Sequence, residues 1–154
     1  KTGERIGLFV DESSNAIARP LIELLNKGAE AGVRTTCAMQ TVSDLAARLG
    51  SEAAARMALG NFNNLIALRT KDRFTQEFAA ETFGRTYIAN AESSVSSTAD
   101  GNALTFTAAV TRRRTSSREE LVPADVLGKL PNCEFFAALA GGKLVKGRIP
   151  ILID

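Results

Sequence analysis

The sequence predicts an α/β fold: a mostly parallel sheet with helices on both faces, ending in an antiparallel C-terminal hairpin. Three features carry this. An unbroken apolar run, Ile6–Val10 (IGLFV), reads as a strand buried on both faces, because it shows no polar alternation. From there to residue 89 strand-like and helix-like segments alternate, and strand–helix–strand units lay their strands parallel. Near the end, Gly141 and Gly142 separate two apolar-rich runs, the pattern of a two-residue hairpin turn.

The bulk properties narrow the possibilities. At 154 residues and 45% hydrophobic, the chain suffices for one domain with a real core, so residues 1–154 are read as a single domain. A net charge of +2 is too mild to imply a nucleic-acid partner without local clustering. The absence of histidine excludes a His-based triad, and Cys37 and Cys133 sit in apolar segments without metal-ligand spacing. They read as two buried, reduced thiols of a cytoplasmic protein. No apolar run approaches the roughly 18 residues of a membrane span, and no signal-peptide pattern opens the chain. A buried strand with almost nothing before it suggests a piece of a larger protein.

Taken in order, the elements follow local signals. After the first strand, Ser13, Ser14 and Asn15 form a polar turn. Ile17, Leu21, Leu24, Leu25 and Gly28 then make a core-facing helical stripe. Pro20 belongs in a first turn, which places the helix start at Ala18 or Arg19, and Gly32 is its expected stop. A strand over 33–39 ends at Gln40. Thr41 with Asp44 three residues on is a capping signature for the next helix, in which Leu45 and Leu49 face the core. Gly50 breaks that helix, and Ser51 caps an Ala-rich one ending at Leu59. A third strand, Leu65–Leu68, leads to Asp72, the N-cap of a helix over Arg73–Phe83 with Phe74 and Phe78 on one buried face. Gly84 closes it, and a fourth strand is expected over 85–89. Residues 91–102, AESSVSSTADGN, are small, polar and poor in core residues, and read as an exposed or disordered loop. A strand over 103–110, a short helix over 123–130 and the hairpin strands 134–140 and 143–149 complete the chain.

Two places carry chemistry. Asp11 and Glu12 follow the first buried strand at once, and in an open α/β sheet ligands sit beyond the carboxyl ends of the strands. Adjacent carboxylates there suit a Walker B pair, one helping to hold Mg²⁺ and the next orienting the attacking water. The plainer alternative is a strand ending in a solvated acidic turn. The second place is Arg112, Arg113, Arg114 and Arg118, crowded into seven residues. Guanidinium forks suit phosphates, and the flanking Ser and Thr can add hydrogen bonds, so Arg112, Arg113 and Arg114 are candidate nucleic-acid contacts. Their plainer reading is a solvated strand end facing Glu119 and Glu120. No aromatic residue is interleaved with them in sequence, which argues against base stacking.

The segments LFVDES, PLIELLNKGAEAGVRTTCAMQTVSDLAARLGSEA, GNFNNLIALRTKD and VPADVLGKLPNCEFFAALAGGKLVKGRIPIL resemble, in order, the C-terminal half of the motor domain of TraD-type conjugative coupling proteins. The likeness spans nearly the whole chain, is weakest over 91–111, and is greatest to the TraD of integrative conjugative elements. It implies the distal part of a RecA-like ATPase that moves single-stranded DNA and its relaxase towards a type IV secretion channel. ATP and Mg²⁺ would be the parent's cofactors. The parent would be a homo-hexamer at the cytoplasmic face of the bacterial inner membrane, held by an N-terminal anchor outside this stretch. By position Asp11 and Glu12 become the Walker B pair and Gln40 the sensor of the γ-phosphate.

Two departures qualify the likeness. The phosphate-cradling G-x-x-x-x-G-K-[ST] loop is absent, since Gly128-Lys129 and Gly142-Lys143 are each followed by Leu. The 154 residues alone are therefore expected to bind no nucleotide and, as a soluble fragment, to be inactive. Relatives usually carry an arginine where this chain has Ala29, a candidate finger for the neighbouring subunit's phosphate. Arg34 and Arg69, near strand ends, are its possible replacements. The alternative to a motor is a docking module for relaxosome or channel proteins, with no enzymatic role of its own.

Overall fold

The computed structural model describes residues 5–17, 19–28, 30–99 and 106–151, which fall into two compact units, one within 1–84 and 122–154 and one within 85–121.

In the first unit β1 (Ile6–Val10) and β2 (Val33–Cys37) pair in parallel, with Ile6 opposite Val33 and Val10 opposite Cys37. The polar turn after β1 is in fact a four-residue helix, α1 (Ser13–Ala16), and α2 (Arg19–Lys27) follows from one of the two expected starts. The other, Ala18, lies outside the described residues, as does Ala29. α2 stops at Lys27, short of the expected Gly32, whose φ of 81° instead turns the chain into β2. Gly28 follows α2 because a Cβ there would lie 2.5 Å from the Leu24 carbonyl oxygen.

Capping residues set the next elements where the sequence places them. α3 (Val42–Leu49) starts where the Thr41 hydroxyl accepts the Asp44 N–H at 3.0 Å and donates to Asp44 Oδ2 at 2.7 Å. α4 (Glu52–Leu59) starts where Ser51 accepts the Ala54 N–H at 3.1 Å. Ile17, Val42, Leu45, Ala46, Ala55 and Ala58 form the core beneath these helices, and Phe74 and Phe78 pack against it. The alanines let α3 and α4 approach closely; replacing Leu45, fully buried, would leave a cavity no neighbour fills cheaply.

β3 (Leu65–Leu68) and α5 (Arg73–Phe83) also match expectation. α6 (Ala124–Gly128) leads to the C-terminal hairpin β6 (Glu134–Leu139) and β7 (Lys143–Arg148). Gly141 and Gly142, at φ 88° and 76°, supply the positive dihedrals of a tight hairpin turn. A second core gathers Phe83, Val122, Leu127 and Leu130, with the Phe83 and Phe136 rings 6.0 Å apart.

The sheet is where expectation and structure part. β3 pairs antiparallel with β6 in the order β3-β6-β7, so the fold is mixed α/β and its only parallel pair among the described residues is β1-β2. An apolar run records burial and says nothing of direction, so Leu65–Leu68 accepts a hairpin strand as readily as a parallel neighbour. β1 is not buried on both faces either: Ile6 is 60% and Phe9 81% exposed.

The second unit is a two-stranded antiparallel ribbon, β4 (Arg85–Ala99) and β5 (Phe106–Glu120), running in register from Arg85 opposite Glu120 to Ala99 opposite Phe106. This corrects three expectations. The fourth strand is not a five-residue parallel one, residues 91–99 continue it rather than forming a loop, and β5 extends through the arginines. Residues 100–102 of the expected loop and 103–105 of the expected strand lie outside the described residues. A ribbon of this kind satisfies its backbone across the pair while burying little side-chain surface, so composition gives no signal of it.

Candidate functional site

β1 and β2 run parallel, so their carboxyl ends lie on one edge, and a short hydrogen-bond chain locks that edge. The Ala38 N–H donates to the Val10 carbonyl at 2.9 Å. The Ala38 carbonyl accepts from the Ser13 N–H at 2.8 Å and from its hydroxyl at 2.9 Å. Ser13 is fully buried. Its hydroxyl thus ties the residue after the acidic pair to the segment carrying Gln40, a role sequence reasoning missed. The only signal for it was a small polar residue directly behind two carboxylates. Burial pushes the Cys37 thiol above its ordinary value, and a hydrogen bond with Ser13 opposes that.

Beyond this lock, Asp11 and Glu12 stand exposed at the strand end. Asp11 Oδ1 accepts the Glu12 N–H at 2.9 Å, and Gln40 Nε2 donates to Glu12 Oε1 at 2.8 Å. Two of the residues singled out from sequence, 28 positions apart, therefore touch. Glu12 sits at φ 48°, ψ 45°, a left-handed conformation that costs a side-chain-bearing residue about 1–2 kcal/mol. Its side chain makes no capping hydrogen bond to α1 and meets Gln40 instead.

The exit of β3 is tied to the same edge. Asp72 Oδ2 accepts from the Thr75 N–H at 2.8 Å and hydroxyl at 2.6 Å, and Asp72 Oδ1 accepts from the Ser43 hydroxyl at 2.8 Å. The Thr75 hydroxyl in turn accepts the Val42 N–H at 2.8 Å. The first turns of α3 and α5, which follow Gln40 and Arg69 respectively, are thereby joined. Burial pushes the Asp72 carboxyl up, but the hydrogen bonds from Thr75 and Ser43 outweigh it and hold it below the usual carboxylate range.

The two candidate trans arginines part company here. Arg69, exposed, directly follows β3 on the joined edge. Arg34 is the second residue of β2, opposite Gly7, at the far end of the strand from Gln40.

Among the described residues no group of three or more His, Cys, Asp or Glu could hold a metal ion by itself. Mg²⁺ takes as few as one carboxylate from protein and completes its shell with water and phosphate oxygens, so an exposed carboxylate such as that of Asp11 is chemically compatible with it. Arg112, Arg113 and Arg114 lie within β5, not at a strand end, and are exposed. Glu120 meets Arg85 at 3.9 Å and Glu119 accepts the Ser117 hydroxyl at 2.7 Å. Among the described residues no helix is long and apolar enough to cross a membrane.

The architecture matches solved structures of bacterial conjugative coupling proteins. The chain is similar to TrwBdeltaN70 in its unbound monoclinic form (TM-score 0.76, 23% identity), covering 99% of this chain and 33% of that one. It is similar to TrwB in complex with the non-hydrolysable ATP analogue ADPNP (TM-score 0.72, 21% identity, 99% and 32% covered). TrwB with ADP and Mg²⁺ matches to the same extent (TM-score 0.72, 22% identity, 99% and 32% covered). The chain thus spans about a third of the coupling-protein chains it matches. No curated protein matches it. A family described as the TraM recognition site of TraD and TraG matches residues 5–132, most of the chain, and the chain belongs to that family, the C-terminal region of TraD- and TraG-type conjugative coupling proteins.

Proposed function

We propose that this chain is the distal part of a RecA-like ATPase domain in a DNA-translocating coupling protein. The observation that carries the reading is the Glu12–Gln40 hydrogen bond at the carboxyl edge of a parallel strand pair. A water-orienting carboxylate and a side-chain amide that can meet a phosphate belong together there. Asp11 would hold Mg²⁺, Glu12 would orient the attacking water, and Gln40 would hold the Glu12 carboxylate and report on the nucleotide. Bound Mg²⁺ would neutralise charge on the phosphates. Arg69 is the better placed of the two candidates to reach across to a neighbouring subunit in a homo-hexamer. The TrwB structures with ADP and Mg²⁺ and with an ATP analogue support ATP and Mg²⁺ as cofactors of the parent.

The exposed apolar residues of β1 and β3, Ile6, Phe9, Ile66 and Leu68, support the same reading. Such residues on short strands fit a sheet completed by further protein, here the phosphate-binding half. The parent would act at the cytoplasmic face of the inner membrane through its N-terminal anchor, as the TraD of an integrative conjugative element, passing single-stranded DNA with its relaxase to the secretion channel. Arg112, Arg113 and Arg114 would contact phosphates of that strand.

Two experiments test this. Calorimetry of the 154-residue chain with Mg·ATP is expected to show neither turnover nor micromolar binding, since acidic pair and glutamine are present without a phosphate cradle; tight binding with turnover would refute it. In the assembled parent, replacing Arg112, Arg113 and Arg114 with Ala should flatten the salt dependence of single-strand binding. Three contacts at about 0.7 each remove up to about two slope units, without changing sequence preference. Anisotropy of a labelled oligonucleotide at several salt concentrations measures it, and an unchanged slope removes the arginines from the interface. The family description favours a second reading, a docking surface for a TraM-like relaxosome protein. A chain that captured such a partner in a parent whose ATPase ignored changes at Glu12 would favour it.

A further inference from the structure

The register of the ribbon sorts its charges onto two unlike faces. Side chains alternate along a strand, and directly paired residues share a face. Arg112, Arg114 and Arg118 therefore lie on the same face as their partners Ser93, Ala91 and Tyr87, and so do Arg85 and Glu120. The opposite face holds Arg113 paired with Glu92, and Glu119 paired with Thr86. Over residues 85–94 and 112–120, one face thus sets four arginines against one glutamate, and the other sets one arginine against two glutamates. The second face also bonds within itself, Asn90 donating to Ser117 Oγ at 3.4 Å and Ser117 to Glu119 at 2.7 Å.

Tyr87 changes what the basic face can recognise. It is 73% exposed and stands directly across from Arg118, so an aromatic ring lies among the arginines in space though not in sequence. Arginines two residues apart on a strand are about 7 Å apart, and line up a row of guanidinium groups along one direction. A row of cations beside an exposed ring is the arrangement that holds a single strand, with phosphates on the row and an unstacked base on the ring.

We propose that the face carrying Arg85, Tyr87, Arg112, Arg114 and Arg118 binds single-stranded nucleic acid, with Tyr87 as the base-stacking residue and Arg113 outside the contact. This rests on the reading of the arginine cluster as a nucleic-acid interface and narrows it: of the three arginines taken as phosphate contacts there it keeps Arg112 and Arg114, drops Arg113, and adds a side and a stacking residue.

Tyr87 is the only tyrosine of the chain, which has no tryptophan, so emission from the 154-residue protein reports on this position alone. Titration with oligothymidylate should quench that emission saturably, while a duplex of equal length should not. By anisotropy of a labelled oligothymidylate, which needs no tyrosine, Tyr87→Ala should weaken binding about tenfold and Tyr87→Phe by less than twofold, as stacking on a ring predicts. Arg112→Ala with Arg114→Ala should lower the salt slope by about 1.4, two contacts' worth, and Arg113→Ala should leave it unchanged. If the arginine pair matters but Tyr87→Ala is silent, or Arg113→Ala costs as much as either neighbour, the face assignment falls and the cluster reading stands. If no arginine replacement alters binding, both fall. Polyglutamate bound as tightly as the oligonucleotide, with no effect of Tyr87→Ala, would replace the proposal with a basic patch for acidic proteins.

Discussion

Glu12→Gln in the parent protein is expected to stop ATP hydrolysis while leaving nucleotide binding intact. The substitution is nearly isosteric, and the new amide oxygen can still accept the hydrogen bond that Gln40 Nε2 makes at 2.8 Å. Geometry at the strand edge is kept and only the charge that draws a proton from water is lost, an effect of about 10²–10⁴ in kcat. Asp11→Asn should behave differently. It preserves the acceptor for the Glu12 N–H but removes a hard anionic ligand, so Mg²⁺-dependent nucleotide binding should weaken together with turnover. Phosphate release measured beside binding of a fluorescent nucleotide separates the two. Wild-type rates from both variants would show that this is an ordinary acidic turn behind a strand.

The parts of this site that were legible in the sequence are those written locally. Asp11 and Glu12 follow an apolar strand, and Gln40 precedes a helix start marked by Thr41 and Asp44, so each could be placed at a strand exit one segment at a time. Helix starts at Thr41, Ser51 and Asp72 were readable because a cap is a contact between residues three apart. What joins the exits was not readable. The Ser13 bonds to Ala38 and the Asp72 bond to Ser43 span 25 and 29 residues, and no local pattern announces them. Strand direction was equally hidden, since β3 takes its antiparallel partner from a hairpin some 70 residues later. The ribbon was missed for the opposite reason. Its residues 91–99 carry no alternation because neither face needs a core, and the pairing of Tyr87 with Arg118 exists only once the register is known.

Asp72 ought to be a costly polar side chain to remove, because it holds two helix starts at once. Asp72→Ala takes the cap from α5, worth about 1 kcal/mol, and strands the Ser43 and Thr75 hydroxyls that it accepts from. A total near 2–3 kcal/mol is expected, lowering the unfolding midpoint by on the order of 5–10 °C for a chain of this size. Asp72→Asn, still a good cap, should lose less than half of that. The pH dependence supplies an independent check. Because hydrogen bonds hold the folded carboxyl below its ordinary range, its stabilisation is complete above that range and is lost as pH falls through the lowered value. Thermal melts from neutral pH downwards should therefore show wild type and Asp72→Asn converging in acid, the charged cap having been neutralised. Parallel curves would mean that the network does not depend on the ionised carboxylate. In the parent the same variants bear on function, since the network joins the segment after Gln40 to the segment after Arg69. Asp72→Ala should then lower ATPase activity at temperatures where the protein is still folded, as the glutamine loses its fixed place beside Glu12.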